Sequence, residues 1–201
     1  MRAKLQTLLS IILVAAGVFL LLMGSREYLD SRLGQSEAAR DFEQPVPNTP
    51  ETRSATEPAV VHPVKLGDTV AKLSIPRLDA ELYVVEGDDA KELRRGPGHL
   101  AGTAMPGANG NCVIAGHRDT HFRVLKDIRE GDDIVLQTSS GQYLYRVKRM
   151  RVVTPDNTSA LQPTSTPELN LITCYPFYYV GSAPKRFVVE AQLAGAVQRP
   201  S

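Results

Sequence analysis

Leu171-Ile-Thr-Cys-Tyr-Pro-Phe177 is an apolar run that ends in a cysteine and passes into an aromatic loop. Its start has the texture of a strand, and Pro176 cannot continue a central ladder. Upstream, Ala115-Gly-His117 closes a second compact apolar run. Downstream, Pro184-Lys-Arg-Phe187 opens a third. A thiol, an imidazole and a guanidinium at three strand ends are the parts of a covalent acyl-transfer site, provided the fold brings them together.

The surrounding sequence supports that kind of fold. From about Leu66 the chain consists of short β-type runs separated by Gly, Pro, Asn and Asp. Strands are expected at 70–75, 81–85, 111–116, 133–138, 143–153, 169–173 and 186–193. Along 143–148, Tyr143, Tyr145 and Val147 alternate with Leu144, Arg146 and Lys148, the period of a half-buried strand. A turn at 139–142 makes a hairpin of its neighbours. One short helix is expected at 88–95 with Asp88 as its cap. The count points to an all-β barrel or sandwich with few helices. The segment 155–168, with Pro155, Pro163 and Pro167, is long for a loop inside a compact domain. Such loops often form a wall of a binding groove.

The first 43 residues have a different texture. Between Lys4 and Arg26 lie 21 uncharged residues. As a helix these would span about 31 Å, against a hydrocarbon core of about 30 Å. A cleavable leader has a shorter apolar region and an A-x-A-like site, which this run lacks. Residues 1–25 are therefore expected to be an uncleaved membrane anchor. Residues 26–65 read as a charged juxtamembrane segment and a stalk carrying Pro45, Pro47, Pro50 and Pro58. Its composition cannot bury a core, and a stalk of this length would hold the folded domain, 66–196, clear of a lipid surface. A tail, 197–201, completes the chain. Net charge is +1 with no long Lys/Arg run, so nucleic acid is not an expected partner.

The chemistry divides cleanly among the three side chains. A thiol is only a few per cent thiolate at neutral pH and needs help to attack an amide. His117 titrates in the right range for general acid/base work. Arg186 stays charged and donates several hydrogen bonds, which suits an oxyanion but not a base. Taken singly each has an ordinary explanation: a core thiol, a turn histidine, a solvated arginine. Tyr175, Phe177, Tyr178 and Tyr179 crowd beside Cys174, as a binding wall or as a cap on the barrel end.

Four ordered segments turn the combination into a pattern. Gly96-Pro-Gly-His-Leu-Ala-Gly-Thr-Ala-Met-Pro-Gly107, Ala115-Gly-His-Arg-Asp-Thr120, Leu171 to Phe177 and Ala183-Pro-Lys-Arg-Phe-Val-Val189 together resemble the sortases. The Thr-Cys-Tyr-Pro-Phe run is most similar to the class D branch. The resemblance implies a closed β-barrel of seven to eight strands with one or two short helices. It implies a cysteine transpeptidase, anchored in the cytoplasmic membrane by a single pass, with the barrel on the extracytoplasmic side. Cys174 matches the nucleophile, His117 the acid/base and Arg186 the cation that steadies substrate and oxyanion. Thr173, Tyr175, Ala160 and Leu161 are expected to contact substrate. The partners implied are proteins with a C-terminal Leu-Pro-x-Thr-Gly-like signal and an acceptor amine from cell wall or pilin. No cofactor or metal is expected. His117 and His121 form an H-x-x-x-H spacing, but the run before them is strand-like and the glutamate of a zinc helix is missing. His99 reads as a turn residue.

A rival reading is a membrane-tethered β-barrel binding module, without turnover, held by a Cys112–Cys174 disulfide. Cys112 lies five residues before His117, about 16 Å along a strand. The odd separation also points the two side chains to opposite faces. With Cys174 beside His117, a bridge to Cys112 exceeds the reach of a disulfide.

Overall fold

A computed structural model describes residues 2–43 and 64–197. The expected stalk at 44–62 and the tail at 198–201 lie outside the described residues. Eight strands form the body: β1 (Thr69–Ile75), β2 (Ala80–Glu86), β3 (Gly98–His99), β4 (Asn111–Gly116), β5 (Asp133–Gln137), β6 (Gln142–Val153), β7 (Glu168–Tyr175) and β8 (Lys185–Val197). They close as a barrel in the order β1-β2-β3-β4-β7-β8-β6-β5. Closure pairs every edge, which removes the exposed ladder of an open sheet.

The barrel forms because its strands alternate. In β5, Ile134 and Leu136 are fully buried while their neighbours are not. Leu73, Ile75, Ile114, Leu171 and Tyr145 join them in one interior cluster. The β4–β7 pair is parallel, with Cys112 beside Leu169 and Gly116 beside Thr173. β4 is buried over most of its length and β7 over about half, and the β6–β7 connection is tied to their outer face at Asn111.

β3 is the strand that the sequence hides. Its two residues lie in the stretch read as a turn, yet His99 is 1% exposed. The His99 Nδ1 pairs with Glu86 at 2.7 Å and its Nε2 donates to the Ala104 carbonyl at 3.1 Å. The short helix α2 (Ala90–Arg95) starts later than expected. Asp89 rather than Asp88 precedes it, and no side-chain cap is made.

The helix α1 (Arg2–Glu43) is continuous over 42 residues, about 63 Å at the usual rise. Gln6–Met23 has a mean hydropathy of 2.4 and is unburied among the described residues. The later part of α1 does pack. Gln35 exchanges hydrogen bonds with β2 as a peptide group would: the Tyr83 amide donates to its Oε1 at 2.8 Å, and its Nε2 donates to the Tyr83 and Arg95 carbonyls at 3.0 and 2.9 Å. β3 is too short to satisfy β2 at this point, so Gln35 supplies the partner that the buried amide requires. Gly34 makes the approach possible, since a Cβ there would lie 2.5 Å from the Arg95 Cα. Ala38 is fully buried and the Phe42 ring packs edge-on against Tyr83. Residues 31–43, expected as part of a charged juxtamembrane segment, form the last part of this helix and are docked on the barrel.

Candidate active site

The pleat decides what reaches the outer face. Cys112 and Ile114 join the interior cluster, so Asn111, Val113 and Ala115 face outward, and His117 follows one step beyond the strand. On β7, Leu169 and Leu171 point inward, leaving Asn170, Ile172 and Cys174 outward. β8 continues the face, because Cys174 pairs with Arg186, Ile172 with Val188 and Asn170 with Glu190. β6 completes it, with Val153 beside Arg186. The ends of β4, β7, β8 and β6 thus carry His117, Cys174, Arg186 and Val153 side by side.

Cys174 is half-buried and free. Only the Arg186 Nη1 is engaged among the described residues, on the Ala183 and Lys185 carbonyls at 3.3 and 3.0 Å. Nε and Nη2 carry no hydrogen bond to the described residues. Cys112 is also free, but it lies inside the barrel and burial pushes its thiol up to about 12, with Glu86 adding to the shift. The disulfide of the rival reading is not formed, for the pleat reason given above.

His117 sits on a braced turn. Its carbonyl accepts from the Phe122 amide at 2.9 Å. The Phe122 ring lies against Gly116, where a Cβ would meet it at 2.7 Å. The next residue, Arg118, donates from Nη2 to the Tyr179 and Gly181 carbonyls at 2.9 and 3.1 Å, tying this turn to the β7–β8 loop. His121 opens a 3-10 helix (His121–Asp127) and bonds Ser31 of α1 at 3.3 Å. Burial holds its imidazole below the usual histidine range.

The β6–β7 connection leaves the barrel beside Arg186 and returns at Glu168, the register partner of Asn111. It therefore runs the length of the β4–β7 pair, about 20 Å for the six steps from Asn111 to His117. Asn111 fastens it. Its Nδ2 donates to the Ala160 and Gln162 carbonyls at 2.8 and 3.0 Å, and its Oδ1 accepts from Asn170 at 2.7 Å. Arg151 adds a second tie, through Glu190 on one side and the Ser159 hydroxyl at 3.1 Å on the other.

Of the expected substrate contacts, Leu161 is exposed and Tyr175 is half-buried, stacked on Phe187. Thr173 requires correction. It faces inward, is 2% exposed, and spends its hydroxyl on the Gly116 carbonyl at 2.7 Å, clamping β7 to β4 next to the site. The Ala160 side chain is likewise buried, at 5% exposure. The sequence reading missed Asn111 and Asn170. Two amides at the same height in apolar strands were the available signal.

Comparison with known proteins identifies the family. The Sortase domain family matches residues 73–194, the barrel from β1 into β8. The chain belongs to the sortase family. It is 32% identical to Sortase D of Bacillus subtilis over 192 residues, covering 92% of this chain and 97% of that one. Among solved structures, a Clostridium perfringens Sortase D5 transpeptidase superposes with a TM-score of 0.66 at 26% identity, over 83% of this chain and 99% of the other. The catalytic domain of Bacillus anthracis SrtD gives 0.59 at 34% identity, over 75% and 99%. This sortase is accordingly a cysteine transpeptidase with the eight-stranded barrel of its relatives, and class D fits.

Proposed function

We propose that this sortase is a membrane-anchored enzyme that joins proteins bearing a C-terminal Leu-Pro-x-Thr-Gly-like signal to an amine through a thioester on Cys174. The register that sets Cys174 against Arg186, with His117 one step beyond the Gly116–Thr173 pair, carries the reading. The Cys174 Sγ attacks the Thr carbonyl carbon, and the oxyanion that develops accepts hydrogen bonds from Arg186. The C–N bond to Gly breaks as His117 gives its proton to the departing amine. An acceptor amine then attacks the thioester, His117 takes the amine's proton, and the thiolate leaves. Water in place of the amine yields hydrolysis.

The groove along β4 and β7, closed on one side by the β6–β7 connection, suits an extended peptide. Four extended residues span about 13 Å, within the length of the strand pair. The Gln6–Met23 stretch of α1 serves as the single-pass anchor, with the barrel on the extracytoplasmic side. The testing experiment is mass spectrometry of the full chain in detergent, mixed with a signal peptide and then with a small amine. Expected are an adduct of the acyl portion on the fragment containing Cys174 and its discharge as the amide. An adduct elsewhere, or none alongside unchanged peptide, would sink the proposal.

A further inference from the structure

The tip of the β7–β8 loop is Tyr178-Tyr179-Val180, with exposures of 69%, 49% and 99%. Cations ring it. Arg123 and Lys126 lie over the Tyr178 ring at 5.6 and 5.8 Å, and Arg118 over the Tyr179 ring at 5.8 Å. Lys126 also donates to the Tyr178 hydroxyl at 3.1 Å. Asp127 pairs with Lys126 at 3.7 Å, and the three bases still outnumber Asp119 and Asp127. An aromatic and aliphatic tip with a basic rim is the composition found at lipid headgroups, where tyrosines sit amphipathically and cations meet anionic phosphates.

The helix α1 fixes where this tip lies. Ser31 follows Met23 by eight residues, about 12 Å of helix. It bonds His121, the first residue of the 3-10 helix whose Arg123 and Lys126 hold Tyr178. Contacts farther along α1, from Gln35, Asp41 and Phe42, fall instead on β2 and α2. The His121–Asp127 helix, and with it the adjoining loop tip, therefore lies toward the apolar stretch, with Glu81 and Leu82 of β2 lining the same cavity beside Ser31 and Arg32.

We propose that the Tyr178–Val180 tip docks on an anionic phospholipid surface, with Arg123 and Lys126 against lipid phosphates. This rests on the reading of α1 as a membrane anchor. The docked tip, together with α1, fixes the orientation of the barrel at two points. The loop joining Cys174 to Arg186 is then held at the bilayer, not clear of it.

The sequence contains no tryptophan, so one can be introduced as the sole probe. Full-length Val180→Trp, Phe19→Trp and Gln137→Trp are placed in nanodiscs of phosphatidylcholine with phosphatidylglycerol, with brominated lipid as quencher. Phe19→Trp reports the anchor, and Gln137→Trp reports the far end of the barrel. Docking predicts loss of emission and a blue shift for Val180→Trp and Phe19→Trp but not for Gln137→Trp. The Val180→Trp loss should shrink in pure phosphatidylcholine and on adding Arg123→Glu with Lys126→Glu. Quenching at Phe19→Trp without any at Val180→Trp overturns the docking and leaves the anchor standing. Absence of quenching at Phe19→Trp overturns both. A Val180→Trp shift that answers to signal peptide and not to lipid assigns the tip to peptide and also overturns it.

Discussion

Cys174 and Arg186 are register partners across β7 and β8, both on the outer face of the barrel. Two residues twelve apart in sequence are thus held by backbone hydrogen bonds and not by loop conformation. An oxyanion formed at Cys174 needs a donor already in position, and a fixed ladder supplies that. Arg186→Lys keeps the charge but removes the planar fork. It should lower kcat/KM for signal peptide by about 10²–10³-fold, typical of a lost oxyanion donor. Alkylation of Cys174 by iodoacetamide should proceed as in the parent protein. Parallel loss of alkylation would instead assign Arg186 to thiol activation.

The two thiols should separate sharply in reactivity. Cys112 is pushed up to about 12 by burial inside the barrel. At neutral pH about one such group in 10⁵ is thiolate, so native alkylation should label Cys174 alone and denaturation should release the second. Cys174→Ala should abolish turnover, while Cys112→Ala should retain most of it with a modest fall in Tm. Equal loss of turnover in both variants would contradict the assignment.

Gly116→Ala tests the bracing of His117. A methyl group would meet the Phe122 ring at 2.7 Å and must displace it. Because the Phe122 amide holds the His117 carbonyl, the imidazole should move with it. Misplacement by about 1 Å can cost on the order of 10²-fold in rate. The expected result is a fall in kcat of that order with the fold kept, and Gly116→Ala with Phe122→Leu should recover part of it.

How much of this was legible in the sequence follows from the range of the forces involved. β4 was readable to the residue because an apolar run bounded by Gly and Asn has few alternatives. The strand ends carrying Cys174 and Arg186 were readable for the same reason. β3 was not, since two residues have no period, and His99 enters it through a Glu86 partner thirteen positions away. The docking of α1 was also hidden. Ser31, Gln35, Ala38 and Phe42 recur at helical spacing, but the three that are small or polar give little hydrophobic signal, and Gln35 meets a backbone peptide, that of Tyr83. Thr173 looked like a groove residue because it adjoins Cys174; the pleat turns adjacent residues to opposite faces.

Asn111 should behave as a positioning residue for the β6–β7 wall. Its Nδ2 donates to both the Ala160 and Gln162 carbonyls. Asn111→Asp retains the shape but sets lone pairs against those carbonyls, and a buried unmet acceptor costs about 1–3 kcal/mol. The wall should loosen, raising KM for signal peptide by about tenfold for the first 1.4 kcal/mol of that cost, with kcat changed far less. Hydrogen exchange of the 158–162 amides should quicken. A fall in kcat with KM unchanged would place Asn111 in the chemistry instead.

His121 makes the contact with α1 sensitive to acid. Its imidazole is held below the ordinary value chiefly by burial, with the His117 ring adding to this, while the Arg94 carbonyl and Asp119 act in the opposite sense. The unfolded chain takes up a proton near pH 6.5, which the folded state resists. The native fold therefore has the full contribution above that pH and loses it as pH falls toward the depressed folded value. Protonation also disturbs the bond to Ser31, the contact of α1 nearest its apolar stretch. Between pH 7.5 and 5.5 on the assay scale, the fall in Tm of the full chain should be larger in the parent than in His121→Gln. Asp132, whose carboxyl is held down by the Arg77 guanidinium, loses its own contribution only at lower pH, from the usual carboxylate value downward. Identical falls in the two proteins would show that the imidazole stays neutral through this window and that acid acts elsewhere.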